Sequence, residues 1–109
     1  MSVVISSKDG VTTVQLPDEF DAAAAESARE DIETSLGQAT VKLLFDLSET
    51  HFIDSTGIGL IVYTARRAQA AGGKTALCGA QNQPLELLKI LRLDRVFKFL
   101  DSTKDADQL

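Results

Sequence analysis

Two adjacent hydroxyls, Ser55 and Thr56, stand between a carboxylate and a glycine in the run Phe52-Ile53-Asp54-Ser55-Thr56-Gly57-Ile58-Gly59. Hydroxyls in this setting can cap the free N–H groups of a helix, attack a substrate, or accept a covalent group. Attack needs a positioned base and usually a third, orienting group. The chain has a single histidine, His51, and no Gly-x-Ser-x-Gly elbow. A lone histidine before an apolar strand reads as structural. Two hydroxyls follow Asp54 before the glycine, whereas the aspartic-protease triplet has one. Gly57-x-Gly59 lacks the third glycine of a dinucleotide loop, and neither it nor Gly72-Gly73 has the phosphate-loop lysine. Cys78 is the only cysteine and has no histidine beside it, which excludes disulfide frameworks and cysteine-rich metal sites. The residues point to no metal, no cofactor and no enzyme.

Capping and covalent modification both remain open on the residues alone. A phosphoryl group at a helix N-terminus meets the positive end of the helix dipole, so the fold tolerates it. It would add nearly two negative charges beside Asp54, with no lysine or arginine nearby in sequence. The change would be felt mainly by a partner.

The elements that must position these hydroxyls follow from pattern. Val3-Val4-Ile5 and Val11 to Leu16 flank Lys8-Asp9-Gly10, whose Asp-Gly pair suits a tight turn, so the chain opens on a β-hairpin. Pro17-Asp18-Glu19 stops the second strand. Ala25, Ala28, Ile32 and Leu36 recur on one helical stripe, with Asp21 as N-cap and Gly37 as the residue after the helix. Val41 to Leu47 is nearly all apolar, as a strand covered on both faces requires, and should be central. His51-Phe52-Ile53 forms a short strand. Ile58, Ile61, Val62, Ala65 and Ala68 mark a second helix ending at Gly72-Gly73. A strand over Lys74 to Cys78, a helix over Leu85 to Leu91 with Pro84 in its first turn, and a final strand within Val96 to Leu100 complete the domain. Residues 101–109 read as a polar tail. Alternating strands and helices predict a layered α/β domain with right-handed crossovers.

Composition bounds the rest. With 109 residues, 11 basic against 16 acidic and a formal charge of −5, the chain fits one acidic domain with a core large enough to stand without disulfides. Nucleic acid is excluded as a partner, because the positive field that neutralises phosphates is missing. The N-terminus lacks a basic region followed by an apolar run, and no stretch reaches the roughly 20 apolar residues of a membrane span. A cytoplasmic location is expected.

The sequence resembles a known family. Phe52 to Gly59, preceded by Leu43-Leu44-Phe45-Asp46-Leu47-Ser48 and followed by Ala70-Ala71-Gly72-Gly73-Lys74, looks like the anti-sigma factor antagonists of the STAS domain family. Leu93-Asp94-Arg95-Val96-Phe97 is similar to the family's ending, so the resemblance covers nearly the whole chain, 1–109 as one domain. It implies a compact α/β STAS-type fold, a small mixed β-sheet with helices packed mainly on one side. It also implies phosphorylation of Ser55, with Thr56 as the neighbouring hydroxyl, by a serine kinase that is itself the anti-sigma factor. A PP2C-type phosphatase would reset the site, and Asp21 would lie near it. ATP and Mg²⁺ would belong to the partners, and the protein itself would act as a monomer. Pro17 to Phe20 departs from the pattern, where many members carry a glycine. Two rivals remain: a non-phosphorylated STAS scaffold or transporter-associated module, and a small hydrolase using Ser55.

A docking surface is expected around Asp21, Asp54, Gly57, Ile58, Gly59 and Leu60. Gly57 and Gly59 would leave helix backbone open beside Ser55, since two glycines in three helical positions are not placed for stability. By spacing, Ile58, Ile61 and Val62 face the core, and Leu60 and Tyr63 form an exposed apolar rim. Leu60→Glu would then weaken partner binding without unfolding the chain.

Overall fold

The computed structural model describes residues 3–36 and 42–109. The opening hairpin pairs β1 (Val4–Lys8) with β2 (Val11–Gln15) across Asp9-Gly10, whose φ values of 52° and 80° are both left-handed. Such a two-residue turn matches the twist of the strands it joins. Pro17 follows β2, and the chain re-forms as a two-residue strand, β3 (Glu19–Phe20), before helix α1 (Ala22–Leu36). That strand was not anticipated. It exists because β5 (Phe52–Ile53) runs parallel beside it, a non-local pairing.

The main sheet has the order β1-β2-β4-β6-β7, with β4 (Lys42–Asp46), β6 (Lys74–Cys78) and β7 (Lys98–Leu100) all parallel to β2 and only β1 antiparallel. β4 is central, and Leu43, Leu44 and Phe45 are fully buried. This agrees with the expected mixed sheet. Strand pleating sends alternate side chains to opposite faces. On one face Val14, Leu43, Phe45 and Leu77 pack with Ala25, Ala28 and Ile32 of α1, Ile58 and Ile61 of α2 (Ser55–Ala70), and Leu88 of α3 (Asn82–Ile90). All three long helices therefore cover one side.

On the other face Val11, Leu44, Ala76, Cys78 and Leu100 are covered by Ala106 and Leu109. The segment expected as a polar tail instead folds into a 3₁₀ helix, Thr103–Gln108, capped by the Ser102 hydroxyl accepting from the Lys104 N–H at 3.2 Å. Ala106 is its one apolar residue, and Leu109, the C-cap, follows three positions on, the spacing that eclipses side chains in a 3₁₀ helix. α3 begins at Asn82, three residues before the expected start. Gly37 and Val41 lie outside the described residues.

Cys78 lies in this back-face cluster, its thiol donating to Asp46 Oδ1 at 3.7 Å. Burial pushes the thiol from its ordinary 9.0 up to about 12, and the neighbouring Asp46 charge adds to this. Only the thiolate reacts. At pH 8 the native protein should resist an aromatic disulfide reagent that labels it quickly in denaturant. The native state keeps a proton that the unfolded chain releases near pH 9. This contribution is full below that pH and is lost as pH rises towards 12. Denaturation midpoints between pH 8 and 11 should fall more steeply for wild type than for Cys78→Ala.

Candidate functional site

Parallel pairing of β3 with β5 brings the starts of α1 and α2 side by side. One carboxylate serves both helices. Asp54 Oδ1 accepts from the Gly57 N–H at 2.9 Å, and Asp54 Oδ2 accepts from the Ala22 N–H at 3.1 Å. Asp21, as expected, caps α1 by accepting from the Ala24 N–H at 3.0 Å. Asp21 and Ser55 each adjoin a member of the Ala22–Asp54 bond, so the structure places them on neighbouring turns. An N-terminal helical turn leaves N–H groups without intrahelical partners, and Asp21 and Asp54 satisfy those of Ala22, Ala24 and Gly57.

That division of labour leaves neither hydroxyl as the cap of α2. Asp54 is the N-cap of α2; Ser55 and Thr56 are its first two residues, both exposed, and neither hydroxyl makes a hydrogen bond among the described residues. His51 Nδ1 lies 2.6 Å from Asp18 Oδ1, and the His51 N–H donates to the Asp18 carbonyl at 2.8 Å. The ring is engaged with Asp18, not with Ser55.

Gly57 and Gly59 differ. A Cβ at Gly57 would sit 2.3 Å from the Phe20 carbonyl oxygen and 2.9 Å from Phe20 Cδ2, whereas at Gly59 it would meet nothing within 4 Å. Gly57 is buried because α2 closes directly onto β3; Gly59, one turn beyond Ser55, leaves the outer face of α2 clear.

The expected docking set divides accordingly. Ser55, Thr56 and Gly59 are exposed, Asp21 and Asp54 are half-buried, and Gly57, Ile58 and Leu60 are buried. Leu60 is only 3% exposed and belongs to the core. The apolar rim expected from Leu60 and Tyr63 is thereby corrected: only Tyr63 is exposed, and Arg67 lies over its ring at 6.0 Å. α2 packs against the sheet and also against α1, so its buried arc is wider than a single stripe and takes in Leu60 and Thr64. Val62, expected in the core, is half-buried.

Gln83 was missed. Its side-chain Oε1 accepts from the Ile53 N–H at 2.9 Å and its Nε2 donates to the Ile53 carbonyl at 2.9 Å. The amide thus pairs with β5 as a neighbouring strand would and docks α3 beneath the Ser55 turn.

No lysine or arginine occurs in 18–24, 46–60 or 79–85, the segments that build this end, while Asp18, Glu19, Asp21, Asp46, Glu49 and Asp54 all do. Among the described residues no group of three or more His, Cys, Asp or Glu is placed to hold a metal, and no helix is long and apolar enough to cross a membrane.

A model of the STAS domain family matches residues 2–106. A Thermotoga neapolitana protein described as a candidate anti-sigma factor antagonist is 34% identical over 65 residues, which is 60% of this chain and 58% of that protein. An anti-sigma-factor antagonist (STAS) domain protein from Planctomyces limnophilus superposes with a TM-score of 0.88 at 22% identity, covering 96% of this chain and 93% of that one. The Bacillus cell fate determinant SpoIIAA in its phosphorylated form superposes with a TM-score of 0.77 at 21% identity, covering 97% of each chain.

Proposed function

The chain belongs to the STAS domain family, and from that premise we propose that it is an anti-sigma factor antagonist switched by phosphorylation of Ser55. The observation that carries the reading is the idle hydroxyl. Ser55 is exposed in the first turn of α2 and its hydroxyl has no hydrogen bond among the described residues, because Asp54 holds the capping position.

In this scheme the unphosphorylated protein docks through the Ser55 end onto a serine kinase that is also the anti-sigma factor, and the factor releases its target. The kinase then moves the γ-phosphoryl group of its ATP to Ser55 Oγ. An O–P bond forms as the bond to ADP breaks, and the hydroxyl proton passes to a base of the kinase. The new group carries close to two negative charges. The local segments offer it no lysine or arginine, so its charge acts outward on the partner and ends the complex. Hydrolysis by a PP2C-type phosphatase restores the hydroxyl. Asp21, on the adjoining turn, helps orient the docked kinase, and Thr56 is a bystander. The protein works as a cytoplasmic monomer, with ATP and Mg²⁺ held by the kinase.

Incubation with ATP and the kinase recovered by co-purification, followed by peptide mass spectrometry, tests the scheme. One phosphate on Ser55 is expected. Phosphate on Thr56 alone would move the acceptor by one residue, whereas none with a kinase that binds would favour a scaffold that needs no acceptor.

A further inference from the structure

The second half of α2, Val62 to Gln69, lies roughly 10–21 Å along the helix axis from Ser55 at 1.5 Å per residue. A cleft of about 510 Å³ opens there, between the end of α2, the starts of β6 and β7, and the 3₁₀ turn Leu93–Arg95. Its apolar lining includes Ala65, Leu93 and Phe97, and its cations are Arg66, Lys74 and Lys98. None of the three cations is in an ion pair among the described residues. Lys98 Nζ donates once, to the Gln108 carbonyl at 2.8 Å. In a chain of net charge −5, three unpaired cations on one apolar cleft stand apart from the carboxylate-rich Ser55 end. Val96, at the same cleft, is 67% exposed.

An apolar wall recovers free energy from each methylene it takes out of water, and lysine and arginine at the rim supply charge-assisted hydrogen bonds to a carboxylate or phosphate. The volume lies within the range of small-molecule sites. From this juxtaposition we propose that the cleft binds a single acyl chain through an anionic head group, the chain lying along Ala65, Leu93 and Phe97 and the head group meeting Arg66, Lys74 and Lys98. This site is independent of phosphorylation at Ser55. The head group belongs either to a free acyl anion or to an anionic membrane lipid.

Decanoate and decanol, titrated below their aggregation limits and followed by amide chemical shifts, test the site. Decanoate is expected to bind saturably at least tenfold tighter than decanol, with shifts centred on Ala65 and Phe97. Lys74→Glu with Lys98→Glu should lose at least tenfold towards decanoate while retaining decanol binding. Arg66→Glu, at an exposed helix position, provides a second charge reversal should the double variant fail to fold. No saturable binding, equal affinity for acid and alcohol, or shifts confined to other surfaces would overturn the proposal. Phosphatidylglycerol vesicles identify the source: co-sedimentation of wild type that the charge reversals abolish assigns a membrane lipid, and decanoate binding without co-sedimentation assigns a free acyl anion. Co-sedimentation that survives the reversals, without decanoate binding, also overturns it.

Discussion

Replacing Ser55 by aspartate is expected to weaken binding to the cognate kinase at least about tenfold, equivalent to ~1.4 kcal/mol, while leaving the melting temperature almost unchanged. The two halves of this expectation rest on different observations. Ser55 is exposed and its hydroxyl makes no hydrogen bond among the described residues, so its replacement breaks no side-chain contact of that kind. An acidic residue in the first turn of a helix is also favoured by the dipole, typically by about 0.3–1 kcal/mol. Binding falls because the added charge joins a surface that already carries Asp18, Glu19, Asp21 and Asp54 without a local lysine or arginine, and a partner matched to the unmodified surface meets one charge too many. Ser55→Ala should bind like wild type, accept no phosphate and remain bound in the presence of ATP. Titration calorimetry giving equal affinity for wild type and Ser55→Asp would refute the switch. Phosphate transfer to Thr56 in Ser55→Ala would move the acceptor by one residue.

The second large effect separates the two glycines. Gly57→Ala should lower stability at the upper end of the ~1–3 kcal/mol typical of overpacking, or beyond it. The added methyl would lie 2.3 Å from the Phe20 carbonyl oxygen, a backbone atom held between β3 and the start of α2. For a domain near this size each kcal/mol corresponds to roughly 4–8 °C, so a fall of more than about 10 °C in thermal melts is expected. Gly59→Ala meets open space and should raise stability by about 0.5–1 kcal/mol, the helix preference for alanine. Similar melting temperatures for the two variants would show that α2 does not close onto β3 as described. Leu60→Glu cannot report on partner contact, because it would place a charge among Leu60's buried neighbours and unfold the domain.

The parts of this architecture that could be read from the chain are those governed by neighbours in sequence. Asp9-Gly10 announces its turn, the apolar run through Phe45 announces a strand covered on both sides, and Asp21 announces a helix start. The misses involve residues whose partners lie about thirty positions away. Leu60 falls outside the stripe of Ile58, Ile61 and Ala65, and is buried on a helix that packs against α1 as well as against the sheet. Asp54, rather than the hydroxyls after it, caps α2 because β3 places the Ala22 N–H within reach of the same carboxylate. Gln83 in sequence is an ordinary polar residue ahead of Pro84; its role exists only once β5 lies opposite. The 3₁₀ helix at 103–108 and its C-cap carry two apolar residues, Ala106 and Leu109, too few for periodicity to register, yet those two cover the back of the sheet.

The Gln83 contact also limits how anything can attach beside Ser55. In a strand the N–H and C=O of one residue point the same way, and successive residues alternate sides. On the inner side of β5 the Phe52 N–H meets the Asp18 carbonyl at 3.1 Å, so Ile53 holds the only outward-facing backbone pair in this two-residue strand. Free pairs of this kind are templates on which another chain can extend a sheet. Gln83 occupies both of them. An incoming protein therefore finds no strand to lengthen next to the exposed Phe52 ring, and must recognise this end through side chains and the mouth of α2, the surface on which a single phosphate would be felt.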